Sequence, residues 1–233
     1  MATLAIITAR GGSKRIPKKN IKEFCGKPML AYTIEAALKS GIFDEVMVST
    51  DSEEIAEVAR KYGAAVPFMR SKATSNDFAT TADVLLEVID RYTQNGKTFE
   101  RFACLYPTAP FLTAERLKDA WEGFLTSEAA TLVPVVKFSF PPQRGLVIRE
   151  DRAVYNTPEF ANCRSQDLEP IYHDCGQFYF LKTAEFLEKK VVAGNDTTPY
   201  IMPEELVQDI DDQSDWNIAE MKYRIMQEKE KRG

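Results

Sequence analysis

The sequence predicts an α/β fold, a mostly parallel sheet flanked by helices. Three observations point to it. Short apolar runs alternate with amphipathic stretches of helical period between residues 4 and 136, the pattern of successive βαβ units. Glycines punctuate the junctions at Gly11–Gly12, Gly41 and Gly63, where the chain has to turn. A chain of 233 residues is long enough to bury a core without disulfide staples.

The elements follow in order. Leu4 to Ala9 reads as a buried strand, stopped by the two glycines. Pro28 suits the first turn of a helix. Leu30, Ile34 and Leu38 then recur every fourth residue until Gly41. Val46 to Thr50 is a second strand. Asp51 with Glu54 reads as a capping box for a helix carrying Ile55, Val58, Ala59 and Tyr62. Ala64 to Met69 reads as a third strand. Ala79 to Tyr92 is helical, and Arg101 to Tyr106 is a strand. Thr113 caps a helix bearing Leu117, Trp121, Phe124 and Leu125, and Ala130 to Val136 is another strand.

The rhythm breaks at residues 137–172, which are rich in Pro, Arg and Asn. They read as an insertion with a small hairpin, Leu146–Ile148 against Ala153–Tyr155, turning at Glu150–Asp151. Gln177 to Leu181 and Leu206 to Ile210 return as strands. A closing helix from Ser214 sets Trp216, Ala219, Tyr223 and Met226 on one face. A single domain over 1–233 accommodates all of these elements.

Bulk properties exclude several classes. There are 30 basic against 35 acidic side chains, so neither nucleic acid nor a membrane surface is an expected partner. No apolar run approaches a membrane span. The apolar start is too short for a signal peptide, and a cytoplasmic location is expected. Cys25, Cys104, Cys163 and Cys175 form no CxxC pair, which argues against a zinc or redox motif and for reduced thiols.

Ligands of open α/β sheets sit beyond the carboxyl ends of the strands. The first such segment is Ala9 to Asn20. Gly11 and Gly12 allow a loop whose N–H groups face phosphate oxygens. Arg10, Lys14, Arg15, Lys18 and Lys19 concentrate positive charge there in an acidic protein, a field suited to a polyanion. Neither GxxxxGK[ST] nor GxGxxG occurs at this loop, which weighs against P-loop and dinucleotide sites. A solvated basic loop is the plain alternative.

The second segment is Gln208-Asp209-Ile210-Asp211. On a strand, Asp209 and Asp211 would share a face and converge on one hard cation, with Mg²⁺ preferring one or two carboxylates plus substrate phosphates. The alternative has Asp211 capping the following helix with Ser214. The third segment runs from Arg164 to Gln177 and is dense in groups that hold hydroxyls and carboxylates. Arg164 can pair bidentately with an acid. His173 is the one histidine; a structural role is its alternative.

The stretch Ala-Arg-Gly-Gly-Ser-Lys-x-Ile-Pro-x-Lys-Asn at 9–20 resembles the N-terminal signature of CMP-sialic acid synthetases and their relatives. The resemblance continues through Gly26-Lys27-Pro28, Ser49-Thr50-Asp51, Pro107-Thr108-Ala109-Pro110, Arg164-Ser165-Gln166-Asp167 and Asp209-Ile210-Asp211. Within the family it is most similar to the pseudaminic acid branch, on Tyr106 to Leu112 and on Tyr172-His173-Asp174-Cys175-Gly176-Gln177-Phe178-Tyr179. Sialic acid enzymes have Gln-Pro-Thr-Ser-Pro-Leu-Arg at the first of these positions. Cys175 stands where that branch has Ala.

The resemblance implies a Rossmann-like nucleotide-diphospho-sugar transferase fold, Mg²⁺ dependence and a homodimer. It implies a cytidylyltransferase that joins CTP to an acidic nine-carbon sugar, pseudaminic acid, with sialic, legionaminic or 3-deoxy-octulosonic acid as alternative sugars. Arg10, Ser13, Lys14 and Lys19 would hold the CTP phosphates, with Gly11 and Gly12 in the same loop. Asn20, Arg70 and Thr81 would contact the nucleotide. Asp209 and Asp211 would hold Mg²⁺. Tyr106, Thr108, Arg164, Gln166, His173 and Gln177 would face the sugar, and the apolar Phe111, Leu112, Phe178 and Tyr179 would contact its methyl and acyl groups. The 137–172 insertion would exchange between subunits. Arg10, Lys14, Lys19, Asp209 and Asp211 form the expected catalytic set. A non-catalytic nucleotide-binding module is the rival of another class. An Asp-nucleophile phosphatase is disfavoured because strand one ends in Ala9-Arg10 rather than DxDx[TV].

Overall fold

The computed structural model describes residues 2–232. Strand β1 (Thr3–Thr8) leads into a long loop. The loop holds a two-residue ladder, β2 (Glu23–Phe24) with β3 (Lys27–Pro28). Helix α1 (Met29–Ser40) follows and ends at Gly41, whose φ of 65° closes the last turn left-handed, a conformation glycine adopts without a Cβ clash. Next come β4 (Glu45–Ser49), α2 (Glu53–Lys61) and α3 (Thr81–Gln94). Then β5 (Arg101–Leu105), α4 (Ala114–Thr126) and β6 (Thr131–Lys137) continue the alternation.

The hairpin is β7 (Leu146–Arg149) with β8 (Arg152–Tyr155). Its turn residues Glu150 and Asp151 have φ of 49° and 59°, the two positive values a tight hairpin turn needs. Strands β9 (Tyr172–Asp174) and β10 (Phe178–Lys182), helix α5 (Thr183–Lys189), β11 (Thr197–Ile201) and α6 (Gln213–Arg232) complete the chain.

The sheet order is β11-β6-β10-β5-β1-β4, with β9 paired to β6. Strands β4, β1, β5, β6 and β11 run in one direction, so the core is mostly parallel. Strands β10 and β9 run against it. Alternation along β1 divides the core. Ala5 and Ile7 pack with Leu30, Ile34, Leu117 and Phe124 on the α1/α4 face. Leu4 and Ile6 pack with Leu85, Val88, Ile89 and Phe186 on the α3/α5 face.

Four expectations need correction. Residues 64–69 make only a bridge, Met47 to Ala65, because the segment turns away to bring Arg70 to the sheet end. The capping box lies at Thr80 with Asp83, opening α3. Asp51 instead accepts the Gly11 N–H at 2.8 Å, and the N-cap of α2 is Ser52, without a side-chain bond. Residues 206–210 are not a strand: a 3₁₀ turn at Glu204–Leu206 leads into irregular chain, and the edge strand is β11. Finally, Phe111, Leu112, Phe178 and Tyr179 are at most 4% exposed. They build the core, so they cannot contact a sugar.

Helix α6 folds back on the loop between β1 and α1. Phe24 meets Trp216, Tyr223 and Tyr32 edge-on, with centroids 5.3, 5.5 and 5.6 Å apart. Such pairs each add roughly 0.5–1.5 kcal/mol beyond burial. This aromatic knot fixes the start of α6 beside the β1 loop, and with it the residues just before the helix. No helix among the described residues is long and apolar enough to cross a membrane.

Candidate active site

A cleft opens at the carboxyl ends of β1 and β5. Its first lobe, about 320 Å³, is lined by Gly12, Ser13, Lys14, Arg15, Lys19 and Asp211 among others. A second lobe, about 250 Å³, includes Arg70, Thr74, Asp77, Thr81 and Tyr106. Thr8, Arg10 and Pro107 line both, so the lobes are continuous. The reversed strand β10 contributes at this same edge: the Gln177 carbonyl accepts the Tyr106 N–H at 2.8 Å.

The loop after β1 brings the expected cations together, but not as a backbone cradle. Gly11 donates its N–H to Asp51, and Ser13 donates its own to the Gly11 carbonyl at 3.0 Å. Gly11 is required for close packing, since a Cβ there would stand 3.0 Å from that of Ser52. Gly12 borders open space. The positive field therefore comes mainly from side chains. Asn20 is buried and donates to the Arg10 carbonyl at 2.9 Å, so its amide nitrogen ties the loop down.

Each cation already has an anionic or carbonyl partner. Arg10 and Lys14 both grip Asp77, at 2.9 and 2.6 Å. The Lys14 ammonium first, and the Arg10 guanidinium second, hold the Asp77 carboxyl below its ordinary range. Arg15 meets Asp211 at 2.7 Å. Lys19 donates to the Ile210 carbonyl at 2.6 Å and stands 4.0 Å from Asp211. Burial lowers the Lys19 pKa from that of an ordinary lysine, while Asp211 and Asp209 oppose the shift.

Ile210 is buried among Ile16, Phe111 and Trp216. Its flanking carboxylates stay outside: Asp209 is exposed and Asp211 half-buried. Helix capping does not consume Asp211, because Asp212 takes that role, accepting the N–H groups of Ser214 and Asp215 at 2.8 and 3.0 Å. No group of three His, Cys, Asp or Glu side chains among the described residues could hold a metal by itself. Asp211 lines the cleft and Asp209 acts electrostatically on Lys19 there, and one or two carboxylates fit a hard cation whose other ligands come from substrate and water.

In the second lobe, Arg70 is buried and donates to the Ser49 hydroxyl at 3.0 Å and the Ser49 carbonyl at 2.5 Å. Burial lowers its pKa to about 10. Thr81 opens α3, and its hydroxyl lies 3.2 Å from that of Tyr106. Burial raises the Tyr106 pKa, so the phenol stays neutral and serves as a hydrogen-bonding group. Thr33 donates to the Tyr106 carbonyl at 3.0 Å, fixing the residue from the α1 side. Thr108 lines the first lobe.

The remaining sugar candidates do not reach this cleft. Arg164 is exposed and pairs with Asp167 at 2.7 Å. Gln166 is exposed on the same 3₁₀ turn. His173 is exposed on β9, with its ring 4.7 Å from that of Phe138. Strand β9, which carries His173, pairs with β6, separated from β1 by β10 and β5 in the sheet. Gln177 is buried and donates to the Leu206 carbonyl at 2.8 Å, so it holds chain rather than ligand. Asp51 reads from the sequence as a helix cap and part of the family resemblance, and Asp77 and Asp215 are not singled out there. Only the capping spacing of Asp212 to Asp215 could have flagged the last.

Known proteins share this chain's sequence pattern and fold. A family profile described as Cytidylyltransferase matches residues 4–215. The chain is 43% identical over 229 residues to the pseudaminic acid cytidylyltransferase of Campylobacter jejuni, covering 98% of this chain and 99% of that protein. It is 34% identical to the CMP-N,N'-diacetyllegionaminic acid synthase of Legionella pneumophila, at 98% and 99% coverage. Among solved structures, a CMP:2-keto-3-deoxy-manno-octonic acid synthetase complexed with CTP superposes with a TM-score of 0.66 at 19% identity, covering 98% of this chain and all of that one. That likeness shows a shared Rossmann-like nucleotidyltransferase fold. With the family profile spanning nearly the whole sheet and the cleft, the chain belongs to the cytidylyltransferase family.

Proposed function

We propose that this chain activates pseudaminic acid with CTP, giving CMP-pseudaminic acid and pyrophosphate. The observation that carries the reaction is the cleft itself: Arg10, Lys14 and Lys19 line it together with Asp211. The sugar rests on the 43% identical relative. The anomeric hydroxyl attacks the α-phosphorus of CTP and pyrophosphate leaves. Arg10, Lys14 and Lys19 neutralise charge on the departing pyrophosphate, and positioning with charge neutralisation is most of what such transfers need. Ser13 and Gly12 border the same phosphates, and Arg70 and Thr81 form the nucleoside side of the cleft. Asp209 and Asp211 would hold Mg²⁺, which would supply Lewis-acid stabilisation of developing negative charge. Pyrophosphate release with pseudaminic, legionaminic and sialic acids tests this. Release with pseudaminic acid alone is expected. Release only with another acid overturns the sugar, and silence with all three overturns the reaction.

Asp77 occupies the cations that the triphosphate would use. Asp77→Asn is therefore expected to lower the KM for CTP by about three- to tenfold, since exposed ion pairs hold weakly and an amide competes less. Steady-state kinetics at low ionic strength checks it, and a raised KM would instead make Asp77 an organiser of Arg10 and Lys14.

We further propose a cytoplasmic homodimer. A cytoplasmic location suits an enzyme that consumes CTP. The insertion and its neighbouring strand edge leave Phe140, Leu146, Ile148 and Ile201 between 55% and 72% exposed, and apolar exposure of that kind marks an interaction surface. Through such an interface Arg164, Gln166 and His173 would face a partner's cleft. Ile148→Asp is expected to give monomers in sedimentation velocity, with activity lost in parallel.

A further inference from the structure

The segment from Val207 to Asp212 lies outside the sheet, and side chains hold it. Lys222 donates to the Val207 carbonyl at 2.7 Å, and Lys19 to the Ile210 carbonyl at 2.6 Å. One carboxylate reaches further than the others. Asp215 Oδ2 accepts the backbone N–H of both Asp211 and Asp212, at 3.0 and 3.1 Å. Asp215 Oδ1 accepts Gln208 Nε2 at 3.4 Å, and the same nitrogen donates to the Asp209 carbonyl at 3.0 Å. The backbones of Asp209 and Asp211 are thereby tied to a single side chain in the first turn of α6.

Helix capping requires less than this. Asp212 caps α6, and its reciprocal partner Asp215 needs only the Asp212 N–H to complete the box. The bonds to Asp211 and, through Gln208, to Asp209 are additional and reach upstream to the two residues that flank Ile210. Bonds from N–H groups to an ionised carboxylate are stronger and more directional than neutral ones.

We propose that Asp215 is a positioning residue for cytidylyl transfer. It fixes the direction in which the segment presents Asp209 and Asp211 to the substrate. This rests on the role proposed above for those two carboxylates. A displacement of about 1 Å at reacting groups can cost about 10²-fold in rate, and removing partners that orient ligands typically costs about 10–100-fold.

The test uses Asp215→Ala, Asp215→Asn, Asp212→Ala and Asp211→Asn in the full chain. It reads kcat, KM for CTP, Tm, and Mn²⁺ binding by electron paramagnetic resonance with CTP but no sugar. Asp215→Ala is expected to lower kcat by about 10–100-fold, leave the KM for CTP within about threefold and weaken Mn²⁺ binding by about tenfold. Asp215→Asn keeps an oxygen that accepts both N–H groups, and should restore kcat to within about fivefold of the parent. Asp212→Ala removes the cap itself; it should lower Tm comparably yet keep kcat within about threefold. The proposal is overturned if Asp215→Ala retains kcat while Asp211→Asn is inactive, or if Asp212→Ala and Asp215→Ala lose kcat in step with Tm. An active Asp211→Asn would instead overturn the underlying role of the carboxylates.

Discussion

Asp211→Asn should lower kcat/KM by about 10³-fold, equivalent to about 4 kcal/mol of transition-state stabilisation. Asp211 is the carboxylate that lines the first lobe of the cleft, and an amide there neither carries charge nor binds a hard cation comparably. Folding should hardly change. Asp211 pairs with Arg15 at the surface, with side chains 43% and 66% exposed, and such pairs contribute little to stability. Release of Arg15 should even favour the nucleotide, so CTP binding by calorimetry should stay within about tenfold of the parent. Unchanged turnover in the folded variant would remove Asp211 from the chemistry.

The second large effect is expected at Lys19. Lys19→Met removes a cation 4.0 Å from Asp211 and the donor that holds the Ile210 carbonyl. A loss of about 10²–10³-fold in kcat/KM is expected, the range for one preorganised donor at a developing charge. The pH profile separates the charge from the tether. Burial lowers the Lys19 pKa, so the ammonium is charged below that value and neutral above it. Activity should then fall as pH rises through a pKa below that of an exposed lysine. In Lys19→Arg, which keeps its charge at every accessible pH, this alkaline limb should shift upward even if the plateau is lower. A limb that stays in place in Lys19→Arg would assign it to another group.

The cations were legible because they are adjacent in sequence: Arg10, Lys14 and Lys19 follow a buried strand, and strand ends are where α/β proteins bind ligands. Local signals also located the hairpin and α6, through a two-residue turn and a periodic apolar face. Longer-range features left no such trace. Leu206 to Ile210 has the composition of a strand, yet β11 takes the sheet edge and the segment is held instead by Lys19, Gln177 and Lys222. Likewise Asp77 lies more than sixty positions from Arg10 and Lys14.

Sequence by itself determined the α/β class, the cluster of cations after β1 and the family resemblance, because each is written in residues close along the chain. Tertiary structure alone decided which groups share the cleft. It left Arg164, Gln166 and His173 outside the cleft, buried Phe111 and Phe178 in the core, and gave Asp51, Asp77 and Asp215 partners. Hydrogen bonds and ion pairs act over a few ångströms of space, and only the folding of α6 and the α3 loop against β1 brings those distances within range.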